Sequence, residues 1–144
     1  MTTTKQRKEK KVPNIVLIDA QDKIRLSDEY KNRLETFLRE VLSRERDVMP
    51  DRLSDINVVI VDNSYISDLN ERYLGRQGPT DVLSFELDDV AEIYVSAEYD
   101  PESIHHFALH GLLHVLGYDH KIESDAKVMR LKEEEYLKLW NNLR

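Results

Sequence analysis

Apolar residues recur along this chain in two rhythms, and each change of rhythm marks a new element. A short apolar run, Asn14 to Ile18, has the length of a strand. Tyr30, Leu34, Phe37, Leu38, Val41 and Leu42 then follow at three- and four-residue steps. They form the apolar stripe of a helix that Ser27 caps and that runs to about Arg44. Met49, Pro50 and Asp51 break the pattern. Asp55 to Val61 reads as a second, buried strand, and Asn63 as the cap of a helix with Ile66, Leu69 and Tyr73 on one face. After the loop residues Gly75, Gly78 and Pro79, a third strand is predicted over Thr80 to Phe85. A turn at Asp88 and Asp89 leads to a fourth over Glu92 to Val95. Asp100 as cap and Pro101 in the first turn open a strongly apolar helix. Ser124 or Asp125 caps a last one, on which Val128, Leu131, Tyr136, Leu139 and Trp140 are apolar and Glu133 to Glu135 sit in between. The order β-α-β-α-β-β-α-α predicts an α+β fold: one small domain, a mixed four-stranded sheet with helices on one or both faces.

Composition narrows the function classes. The 144 residues suffice for one domain with a proper core. No apolar run reaches the ~18 to 20 residues of a membrane-spanning helix, so no membrane partner is expected. Residues 1 to 13 are polar and basic, without the apolar stretch of a signal peptide. There is no cysteine, hence no disulfide framework and no thiolate zinc site. The cytoplasm is the expected compartment. Residues 1 to 12 read as a flexible basic tail, with five basic residues and one acid between positions 5 and 11. A solvated end is the favoured reading over an arm for RNA phosphates. The net charge is −7, and residues 80 to 102 hold eight acids and no Lys or Arg, so composition alone does not point to nucleic acid. No glycine-rich phosphate loop is present, which removes support for a nucleotide cofactor.

The chemistry concentrates in residues 105 to 120, HHFALHGLLHVLGYDH, which hold all five histidines. His110 and His114 are four apart and share one helix face. Leu109, Leu112, Leu113 and Leu116 surround them, and bare imidazoles in such company need partners. Gly117 can end the helix in a left-handed turn, and His120 can then return as a third ligand. Three histidines with an open fourth position describe a catalytic zinc site, one Zn2+ per chain, near the C-terminal third. Nickel and copper also suit imidazole. His105 and His106 lie outside this register and read as a solvated helix start. Gly111 stands where the zinc peptidase signature H-E-x-x-H has its general base, which disfavours a peptidase. The glycine either makes room for substrate or allows close helix packing.

HGLLHVLGYDH, together with PTDVLSF at residues 79 to 85, resembles the YbeY family of bacterial endoribonucleases of ribosomal RNA maturation. The resemblance covers most of the chain from about Asn57 onward. It implies a metal-dependent endoribonuclease domain over residues 13 to 144, specific for single-stranded RNA. Such an enzyme acts in 16S rRNA 3′-end maturation and ribosome quality control, with the small ribosomal subunit and assembly proteins as partners. The matching positions make His110, His114 and His120 the zinc ligands. Three departures stand out. The family's Tyr-Arg-Gly segment is Tyr73-Leu74-Gly75, its Gly-Asp before the fourth strand is Ala91-Glu92, and the connector after Ser96 is short. Arg76, on the loop beyond Leu74, is the candidate to meet a phosphate, with an exposed solvated arginine as the alternative. Asp119 is a candidate to orient a ligand imidazole, or a turn residue after Gly117. The competing reading is a non-catalytic ribosome-assembly factor with a structural zinc site. The oligomeric state is not readable.

Overall fold

A computed structural model describes residues 11–143. The charged segment before Lys11 lies outside them. Four strands form one sheet: β1 (Asn14–Asp19), β2 (Asp55–Val61), β3 (Val82–Leu87) and β4 (Val90–Ser96). Three α-helices pack on it, α1 (Asp28–Arg44), α2 (Asn63–Leu74) and α3 (Ile104–Val115), and a fourth, α4 (Glu123–Asn142), packs on α1 and α3. The strand order is β1-β2-β4-β3. β1, β2 and β4 run parallel, and β3 runs antiparallel to β4 at the edge. The sheet is therefore mixed, as the element order predicts.

The period-two alternation of the strands sorts their side chains onto two faces. Ile56, Val58 and Ile60 of β2 and Ala91, Ile93 and Val95 of β4 join the main core with α1, α3 and α4. Val61 and Leu83 face the other way and pack with Ile66 of α2. α1 buries Leu34, Phe37, Leu38, Val41 and Leu42, the stripe that its sequence displays. Among the described residues, no helix is long and apolar enough to cross a membrane.

β4 runs longer than expected, Val90–Ser96, and four other boundaries move for a local reason. α2 is capped by Asp62, whose Oδ1 accepts from the Tyr65 N–H at 2.8 Å. Asn63 is instead held by Ser96 Oγ at 2.7 Å and its own N–H on Glu98. β3 starts two residues later than expected because Asp81 turns its carboxylate onto the Val82 N–H at 2.7 Å; it then runs on to the tight turn at Asp88, φ +53°. Asp100 and Pro101 open a single 3-10 turn, Pro101–Ser103, which leads into α3. α4 begins at Glu123 with no side-chain cap, so Ser124 and Asp125 lie inside its first turn. Its buried stripe is Met129, Tyr136 and Trp140, while Val128 and Leu131 are exposed.

Candidate metal centre

α3 is buried along most of its length: Leu109, Leu112 and Leu113 have no solvent exposure. His110 and His114 occupy its remaining face and line a cleft of about 460 Å³ between α3 and β3. The helix ends in a Schellman motif. Gly117, at φ +105°, donates its N–H to the His114 carbonyl, and Tyr118 donates to the Leu113 carbonyl, both at 3.0 Å. The chain reverses there, as the glycine predicts. Asp119 Oδ1 then accepts from the backbone N–H of His120 at 2.7 Å and of Lys121 at 3.1 Å. These bonds fix the short loop that carries His120 back to the helix.

The result is a cluster in which one ligand atom from each of His110, His114 and His120 lies within 4.8 Å of the others. Their ring centroids are 4.7, 4.9 and 5.6 Å apart. Burial holds the His114 imidazole below the ordinary histidine range, and the adjacent His110 and His120 lower it further. A neutral imidazole is the form that ligates a metal. Three nitrogen donors with no thiolate, opening on a cleft, fit a borderline divalent ion with a vacant coordination position.

The carboxylate that serves this cluster is Glu133 of α4. Its Oε1 accepts from His110 Nδ1 at 2.6 Å, and its Oε2 lies 3.4 Å from His106 Nε2. Burial raises the Glu133 carboxyl, but the two histidines outweigh it and hold it at about 2. An ionised Glu133 on Nδ1 fixes the His110 tautomer and leaves Nε2 for a metal. In the sequence Glu133 is one of three consecutive glutamates between apolar positions. The signal was its spacing: it falls four after Met129 and three before Tyr136, on the buried stripe of α4.

The other candidates take different places. The Asp119 carboxylate is 4.0 Å from its neighbour's Nδ1 and spends its hydrogen bonds on backbone, which is the turn role. Arg76 is exposed, and its N–H bonds the Asn70 carbonyl. Leu74, not Arg76, lines the cleft. Asp81 and Glu86 lie in the cleft wall, and no Lys or Arg is among its lining residues. A Cβ on Gly111 would meet Ile93 Cγ2 at 2.6 Å, Val82 Cγ2 at 3.0 Å and Ser84 Oγ at 3.1 Å. Close packing on the sheet, rather than space for substrate, accounts for that glycine. His105 and His106 are not a solvated helix start. His105 stacks on Trp140, with ring centroids 4.4 Å apart, and His106 turns toward Glu133.

Comparison with known proteins matches this arrangement to one family. A family model described as Endoribonuclease YbeY matches residues 17–141. The Endoribonuclease YbeY of Carboxydothermus hydrogenoformans is 33% identical over 84% of this chain and 93% of its own. That of Pelotomaculum thermopropionicum is also 33% identical, over 85% and 94%. A solution structure of a Thermotoga maritima protein superposes with a TM-score of 0.55 at 27% identity, covering 87% of this chain and 89% of that one. With its sheet order, its histidine cluster and these relatives together, the chain belongs to the YbeY family.

Proposed function

We propose that this protein is a zinc-dependent endoribonuclease that cuts single-stranded RNA, acting in the cytoplasm in 16S rRNA 3′-end maturation and ribosome quality control. The observation that carries the reading is the convergence of His110, His114 and His120 within 4.8 Å at a cleft wall, in a chain whose relatives are named endoribonucleases. The three histidines would hold one zinc ion per chain. Bound zinc supplies Lewis acidity at a phosphoryl oxygen and makes water acidic enough to serve near neutral pH. Glu133 orients the His110 ring through Nδ1. Leu74 and Val82 give the cleft apolar contact, and Asp81 and Glu86 give it a negative wall. Phosphate would therefore meet its favourable charge at the metal rather than at the wall. Small-subunit rRNA and assembly proteins are the partners the reading supplies.

Leu74 favours a second reading. It lines the cleft where the family resemblance implies an arginine, and an assembly factor with a structural zinc would need no cation there. Cleavage of an end-labelled single-stranded RNA by zinc-loaded protein, beside His114→Ala purified in parallel, separates the two. The nuclease reading expects cutting by the first and none by the second. A wild type that binds one zinc per chain and cuts nothing would give the assembly factor precedence.

A further inference from the structure

Far from the cleft in sequence, Glu45 stands at the C-terminal end of α1 with only 4% of its surface exposed. Its carboxylate takes three donors. Tyr118 Oη donates to Oε1, while Tyr136 Oη and Lys132 Nζ donate to Oε2. Tyr136 and Lys132 belong to α4. Tyr118 does not: it is the residue between the Schellman glycine and Asp119, two positions before His120. Burial raises the Glu45 carboxyl, and the two hydroxyls and the lysine together outweigh that and bring it below the ordinary carboxylate range. A charge so placed is costly to move, because Glu45 itself and the Tyr136 hydroxyl are buried and would be left unpaired.

We propose that Glu45 is a positioning residue for the metal centre: through the Tyr118 hydroxyl it anchors the loop that presents His120, and so sets how tightly the third ligand is held. The inference rests on the metal-site reading above. His110 and His114 are fixed by α3 itself, so only His120 depends on a loop. Among the described residues, the hydrogen bonds that hold that loop are the Schellman bonds behind it, the Asp119 turn within it, and the Tyr118–Glu45 bond, which ties it to the end of α1.

The test measures zinc affinity of the full-length protein by competition with a chromogenic chelator, alongside the melting temperature of the metal-free form. Tyr118→Phe keeps the ring and removes the donor. Tyr136→Phe removes a donor from the same carboxylate but lies on α4, and serves as the control for Glu45 packing alone. Tyr118→Phe is expected to weaken zinc binding by about tenfold, in the range for removing a supporting hydrogen bond near a metal. Tyr136→Phe is expected to lower the melting temperature while leaving affinity within about twofold. Glu45→Gln, if it folds, should follow Tyr118→Phe. Wild-type affinity in Tyr118→Phe, or an equal loss in Tyr136→Phe, overturns the anchor while leaving the metal site standing. Wild-type protein that binds no zinc overturns the metal site and the anchor together.

Discussion

Gly111 shows how much can rest on a single missing methyl group. Its position after the first histidine is readable, and so is the lost general base. The wall it packs against is not, because Val82, Ser84 and Ile93 belong to strands whose register against α3 is set only by folding. Gly111→Ala must push Ile93, which is fully buried, and should destabilise the protein by about 1 to 3 kcal/mol despite the gain in helix propensity. Urea denaturation of the two proteins measures this, and an unchanged or higher midpoint would show that the wall yields. The histidine triad was legible because helix geometry fixes i and i+4, and Gly117 announces the reversal before His120. Glu133 was harder. A glutamate among glutamates carries no mark in the sequence, and only its phase on the α4 stripe separates it from Glu134 and Glu135.

At the scale of elements, α1, α3 and α4 meet around Trp140. His105 of α3 stacks on its ring at an interplanar angle of 8°, and the Arg33 guanidinium of α1 lies 3.9 Å from the ring centroid. Burial, with the charges of His106 and Arg33, pushes His105 down from 6.5 to about 4. The sign follows directly: between those values the unfolded chain binds a proton that the folded chain refuses, so stability falls as pH drops from 6.5 toward 4. His105→Phe retains the stack and removes the titration. Its melting temperature should fall less over that interval than that of wild type, and parallel curves would assign the slope elsewhere. The elements themselves were largely legible. The stripe of α1 and the apolar runs of β1 and β2 have one reading each. β3 and α2 began elsewhere than expected because Asp62 and Asp81 turn their carboxylates onto backbone N–H groups, a choice that neighbouring Asn63 and Thr80 could equally have made.

For the whole molecule, the buried apolar core draws on every strand and all four α-helices, and none of it consists of the three clustered histidines. The metal-free protein should therefore remain folded. If the triad binds zinc, the ion at about 100 times its dissociation constant would add about 2.7 kcal/mol, a rise in melting temperature of roughly 5 to 15 °C for a chain of this length. A chelator titration followed by far-UV circular dichroism checks both statements, and loss of helix signal at 25 °C on metal removal would contradict the first. Synthesis runs from the N-terminus, and the strand order makes that direction matter. β2 is complete at Val61, but β4, its neighbour on one side, begins only at Val90. Throughout that interval a nascent chain carries an unpaired apolar edge, the kind of surface that chaperones cover. The histidines at 110, 114 and 120 emerge after the last strand is made. A metal ion held by them would thus be seated on a finished sheet, late in the life of each new molecule.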